Sequence, residues 1–243
     1  MFPIRDDIPT RIRPLVTWAI ILANGVVFAI ELALGPERLP VFLEQFGLVP
    51  ARFNGSADVI ASPVGAVGTL FTSMFLHGGL LHILLNMWTF WIFGNNVEDR
   101  MGHARFLIFY LLCGLASAIV HTLFQSASVI PTVGASGAIA GVLGAYFLMY
   151  PRARVVVLIP ILIIPYFIQL PAFLYLGIWF VLQILSGAVS MTNAAIAEGI
   201  AWWAHVGGFG AGMLLHRLFL VRNRQEERLE LENAWGRGAF RRW

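Results

Sequence analysis

Five polar side chains stand in stretches otherwise apolar enough to lie in lipid: His77, His82 and Asn86 in Phe71–Phe93, Ser136 near the start of Gly134–Tyr150, and His205 in Ile200–Val221. Hydrocarbon rejects such groups, so each asks for a partner or a task. His82 and Asn86 are four residues apart and share one helix face. His77, five before His82, is turned away by roughly 140° and makes a poor partner for chelation. The sequence holds no H-E-x-x-H motif and no aspartate in any span, which removes zinc-protease and intramembrane aspartyl chemistry. A lone serine between glycines is ordinarily a small packing residue. Of the groups present, though, Ser136 is the best nucleophile, and its base must come from His205 or His82.

Glycine spacing favours His205. Gly137, Gly141 and Ala145 step by four along one segment, and Gly208 and Gly212 do the same along another. Small residues at that interval let two helix backbones approach closely. The chemistry would be acyl transfer: neutral His205 takes the Ser136 proton as the hydroxyl oxygen attacks a peptide carbonyl, then returns it to the leaving amine. Donors for the developing oxyanion would be the His82 and Asn86 side chains and the backbone N–H of Ser136 at a helix N-terminus. Gly134 would let the chain turn tightly just before the nucleophile.

The elements that must position these groups follow from composition. Of 243 residues 58% are hydrophobic and 12% charged, with mean hydropathy +0.78, which defines a membrane protein. Six apolar stretches have spanning length: Val16–Ala33, Phe71–Phe93, Phe106–Phe124, Gly134–Tyr150, Pro171–Ala188 and Ile200–Val221. Val155–Leu170 is also apolar but carries Pro160 and Pro165, and is expected to form a membrane-embedded loop or broken helix leading into the fifth span. All 16 basic residues are arginine, and only Arg38 and Arg52 fall on one side of the resulting topology, which places both termini in the cytoplasm. The net charge of +3 therefore reports orientation and gives no sign of nucleic-acid binding. The single Cys113 supports neither a disulfide nor a metal framework, and no metal or cofactor is expected. No removable signal peptide is expected at the N-terminus, and the first span is expected to be a retained helix. The expected layout is a cytoplasmic segment 1–15, a six-helix domain 16–221 with an outer loop 34–70 that is partly membrane-embedded as an interfacial helix pair, and a basic cytoplasmic tail 222–243.

Three stretches together resemble the rhomboid family of intramembrane serine proteases: "HGGLLHILLN" (H-x-x-x-x-H-x-x-x-N) in span two, "GASG" (G-x-S-G) at span four, and "AHVGGFGAG" (histidine followed by G-x-x-x-G) in span six. The resemblance implies an all-α six-helix bundle with Ser136 as nucleophile, His205 as base, and His82 and Asn86 as oxyanion donors. It also implies that His77 organises the outer loop and that the substrate is a transmembrane segment cut near its outer end. Two positions depart from the family pattern. Gly68 and Thr69 stand where many members carry a Trp-Arg pair, so the outer loop must be anchored differently. Ala140 stands where some members stack a tyrosine on the catalytic histidine, so Trp202 or Trp203 is expected to orient His205. The expected partners are transmembrane protein substrates and the bilayer, in the plasma (inner) membrane of a prokaryote. The rival reading is a non-catalytic rhomboid-like protein that binds transmembrane segments.

The remaining polar residues receive plainer expectations. His121 and His216 should be interfacial, Glu31 hydrated at the outer end of span one, and Glu98, Asp99 and Arg100, in the same loop as His103, should fix a turn.

Overall fold

A computed structural model describes residues 2–55, 59–161, 164–191 and 200–221; the expected basic tail, 222–243, lies outside the described residues. Its elements in chain order are β1 (Phe2–Arg5), α1 (Leu15–Phe46), α2 (Gly65–Thr72), α3 (Leu80–Met101), α4 (His103–Phe124), α5 (Ser136–Met149), β2 (Arg154–Ile161), β3 (Ile164–Pro171), α6 (Ala172–Ser190) and α7 (Trp202–Phe219), with short 3-10 turns at Pro50–Asn54 and Ser73–Phe75. The chain is therefore mostly helical. By length and composition α1, α4 and α6 can each cross a bilayer, and α2 with α3 adds a fourth candidate bent by 79°.

Each boundary has a local cause. Gly35 breaks α1 with φ 72°, and Pro36 opens the following helical segment, where a missing N–H costs nothing. The stretch expected as one span from Phe71 is divided at Leu76–Gly79, so α3 starts only at Leu80. Gly102 alone, at φ 72°, joins α3 to α4. α5 has 14 residues, about 21 Å against a hydrocarbon thickness of about 30 Å. It need not match the bilayer, because every residue from Gly137 to Tyr146 is buried among neighbouring helices.

Val155–Leu170, expected as a membrane-embedded loop or broken helix, instead forms a pair of antiparallel strands. β2 and β3 pair antiparallel from Arg154↔Pro171 to Ile161↔Ile164, with β1 added as the third strand on β2. The run of β-branched residues favours extended chain, and the two prolines that suggested a broken helix face one another as Pro160↔Pro165. The sheet lies along α3. Phe2 stacks on Trp88, whose Nε1 donates to the Pro3 carbonyl at 2.7 Å, while Asn96 Nδ2 donates to Asp6 Oδ2 at 2.6 Å. From Asp6 back to Phe2 the strand thus climbs about 12 Å of the α3 surface. Val155 and Val157 turn inward and join the helical core of Phe93, Tyr146 and Tyr175.

Glu98 and Asp99 belong to the last turn of α3, and the turn expected of them is made by Gly102. Their carboxylates cap the chain entering α1. Val16 and Thr17 backbone N–H groups and the Thr17 hydroxyl donate to Glu98, and the N–H groups of Arg11 and Ile12 donate to Asp99 Oδ1 at 2.9 Å each. His103 Nδ1 lies 2.6 Å from Glu98 Oε1. A carboxylate at a helix N-terminus satisfies free N–H groups and meets the positive end of the dipole.

The connection between α1 and α3 is held by Arg52, whose guanidinium donates to the carbonyls of Glu44, Gly47 and Ile60, and by backbone pairing of Leu48 with Thr132. These bonds do the anchoring for which Gly68 and Thr69 have no suitable side chains.

Near β1, burial pushes the Asp6 carboxyl from the ordinary 3.8 up to about 6, against the lowering effect of the hydrogen bond from the Tyr146 hydroxyl. The folded state therefore disfavours the charged form. Stability from this group is intact below 3.8 and is lost as pH rises to about 6. Asp6→Asn, which keeps an acceptor for Tyr146, is expected to raise the thermal midpoint at about pH 7.5 and to leave it unchanged near pH 3.5, as read by thermal unfolding at the two values. Equal effects at both would count against an ionisation origin.

Candidate active site

Gly134 sets the approach to Ser136. Its φ of 128° is open to glycine and strained for other residues, and a Cβ there would stand 2.9 Å from Cε1 and Nε2 of His82 and 3.6 Å from Asn86 Nδ2. Its N–H is tied to the Ser73 carbonyl at 2.9 Å. The chain thus crosses directly over the His82/Asn86 face of α3 and delivers Ser136 as the first residue of α5, with no side-chain cap on the helix start.

His205 arrives from the opposite wall, in the first turn of α7. α7 packs chiefly on α5 and α4. A Cβ on Gly208 would overlap the carbonyl oxygen of Gly137, and one on Gly212 that of Gly141, so the two backbones touch where the glycine steps meet. At that separation Ser136 Oγ and His205 Nε2 are 2.8 Å apart.

On the other side of the imidazole, Nδ1 lies 2.8 Å from Oε1 of Gln183 on α6. Neither expected tryptophan makes that contact. Trp202 stands edge-on with ring centroids 6.5 Å apart, and Trp203 is stacked on Phe124 at 4.0 Å. Trp179 is nearer, at 5.8 Å and tilted by 37°. Gln183 is legible in the sequence by the same criterion as Ser136, a polar group in an apolar span, since it is the sole amide side chain in Pro171–Ala188.

Ser136, His205, His82 and Asn86 all line one cavity of about 1210 Å³, walled on the α6 side by Tyr175 and Trp179. The Asn86 amide nitrogen is buried without a hydrogen-bond partner. His77 is buried behind His82, with ring centroids 5.1 Å apart in an edge-on pair. Its backbone N–H donates to Glu31 at 3.0 Å, so Glu31 is not hydrated at the interface but 1% exposed within the protein. The break before α3 leaves that N–H free, and the carboxylate of α1 takes it. His121 and His216 are likewise buried within the protein. His121 Nε2 lies 2.8 Å from Thr132 Oγ1, and His216 Nδ1 lies 2.8 Å from the Met213 carbonyl.

The fold and site define a multi-pass membrane protein with a serine–histidine pair facing a cavity inside a helical bundle. The sequence model of the Rhomboid domain matches residues 65–222, well over half the chain, and the chain belongs to the rhomboid family. It is similar to RHOMBOID-like protein 1 of Arabidopsis thaliana (29% identical, covering 86% of this chain and 56% of that protein) and to Rhomboid protein 1, mitochondrial, of Saccharomyces cerevisiae (26% identical, 80% and 51%). It is similar over a shorter stretch to Rhomboid protease GluP of Bacillus subtilis (42% identical, 31% and 14%). The chain spans about half the length of the first two of these curated relatives. With plant and mitochondrial proteins among them, the comparisons support a multi-pass membrane location and not the prokaryotic inner membrane in particular.

Proposed function

We propose that this chain is an intramembrane serine endopeptidase that cleaves transmembrane segments of other membrane proteins. The observation that carries the reading is the 2.8 Å contact between Ser136 Oγ and His205 Nε2 in the wall of a large cavity. His205 Nε2 accepts the hydroxyl proton as Ser136 Oγ bonds to the scissile carbonyl carbon. The C–N bond then breaks, the leaving amine takes the proton from Nε2, and water releases the acyl group by the same steps in reverse roles. Around this centre the proposed topology has six spans, both termini in the cytoplasm and the cavity toward the outer side, so the cut falls near the outer end of the substrate segment. Helix-breaking residues in that segment ease its entry as extended chain.

The oxyanion would form against His82, Asn86 and the free N–H groups that open α5. A buried amide donor without a partner is costly, and the Asn86 nitrogen is such a donor awaiting an acceptor. Asn86→Ala is expected to lower kcat by roughly 10²–10³-fold with folding retained. A change confined to KM would remove Asn86 from that role.

The test of the whole reading pairs wild type with Ser136→Ala on a model transmembrane substrate, alongside a fluorophosphonate probe. Cleavage and labelling are expected in the first and neither in the second. A wild type that binds the substrate but neither cleaves nor labels would leave the non-catalytic rhomboid-like function in its place.

A further inference from the structure

We infer that Gln183 is a positioning residue that holds the His205 proton on Nδ1, so that Nε2 presents its lone pair to Ser136. The inference rests on the serine–histidine reading above. Gln183 is 6% exposed on an apolar helix, where an amide is costly unless both ends are bonded. Both are. Its Nε2 donates to the Trp179 carbonyl one turn back at 3.1 Å, and its Oε1 faces His205 Nδ1 at 2.8 Å.

These two contacts decide the tautomer. A backbone carbonyl only accepts, so it fixes the amide with nitrogen toward Trp179 and oxygen toward the imidazole. An amide oxygen also only accepts, so Nδ1 must carry the hydrogen, and in neutral imidazole that leaves Nε2 bare. Rotating the amide by half a turn would set oxygen against oxygen at Trp179. With the proton on Nε2 instead, lone pairs would meet at Nδ1 and the ring could not serve as base toward Ser136.

The support is uncharged. Around His205, beyond its partners Ser136 and Gln183, the titratable groups of the cavity are His82 from α3, His121 from α4 and Tyr175 from α6, and no Asp, Glu or Arg is among the described residues that line the cavity. An amide therefore fixes geometry without burying an unpaired carboxylate.

Two variants test this in the full-length protein. Gln183→Leu is expected to lower kcat by roughly 10²–10⁴-fold, the contribution of a positioned general base, with KM within about twofold. Fluorophosphonate labelling should slow in proportion. Gln183→Glu restores an acceptor at the same reach and adds charge, so it should recover most of the loss. It should also move the acid-side midpoint of the kcat–pH profile upward by about one unit or more, as an anion beside imidazolium requires. A side chain that does not face Nδ1 in the working protein would leave that midpoint in place. If wild type cleaves, Ser136→Ala does not, and Gln183→Leu stays within about threefold of wild type, the inference falls while the serine–histidine reading survives. If Gln183→Leu does not fold, an unmoved midpoint in Gln183→Glu overturns it. If wild type itself neither cleaves nor labels, the underlying reading has failed and takes this one with it.

Discussion

Alanine at Ser136 is expected to lower kcat by a factor on the order of 10⁶, the scale on which hydrolases lose activity when a nucleophile is removed. His205→Ala should cost about as much, and the double variant no more than either. The reason is geometric: one 2.8 Å contact joins the two groups, so removing either end removes the same event. What remains would be the donors and the binding cavity, which act on a substrate attacked by water alone. Folding should survive, because His205 is the hydrogen-bond partner of the Ser136 hydroxyl and faces the cavity, where water can replace it. Turnover of a model transmembrane substrate in the three variants, with thermal midpoints measured beside it, checks both halves of the statement. Multiplicative losses in the double variant would mean that the two residues act independently, and the dyad would have to be abandoned.

Chemistry was more legible in this sequence than architecture, and the reason is the solvent. Lipid makes every polar side chain in a span conspicuous, so Ser136, His205, His82 and Asn86 stand out from composition and spacing alone, and the structure brings them to one cavity. Glycine steps of four have a single mechanical meaning on a helix, which is why Gly208 and Gly212 could be matched to Gly137 and Gly141 before any coordinates. The sheet was opaque for the converse reason. In Val155–Leu170 nearly everything is apolar, so neither a period of two nor one of 3.6 shows, and the prolines read equally as helix breaks or strand ends. Its third strand comes from Phe2–Arg5, more than 140 residues away, and local pattern carries no trace of that pairing. Glu31 is opaque to local pattern for the same reason: its partner is the backbone N–H of His77, 46 positions later, left free by a helix break that hydropathy does not reveal. The capping of α1 by Glu98, 81 positions from Thr17, is another such case.

If packing sets the catalytic distance, then the glycines of α7 should differ sharply according to what their missing side chains would meet. A Cβ on Gly212 would overlap the Gly141 carbonyl oxygen, with the carbonyl carbon 2.6 Å away and Cα 2.8 Å away. All of these are backbone atoms of a buried helix, so no side chain can rotate aside and α7 itself must move. Gly212→Val is therefore expected to cost about 3 kcal/mol, at the upper end of overpacking penalties. It should also lower kcat by roughly 10²-fold, since a shift near 1 Å at a reacting group has that effect. The shift reaches His205 because the two residues lie seven apart, two turns along one rigid helix. Gly210 is the control. A Cβ there meets nothing within 4 Å, and alanine is the better helix former by about 1 kcal/mol, so Gly210→Ala should keep its activity and gain slightly in stability. Thermal unfolding and substrate turnover of the two variants decide the matter. Equal tolerance at both positions would show that the α5–α7 separation does not control the Ser136–His205 distance, and the glycine steps would then lose their claim to set the catalytic geometry.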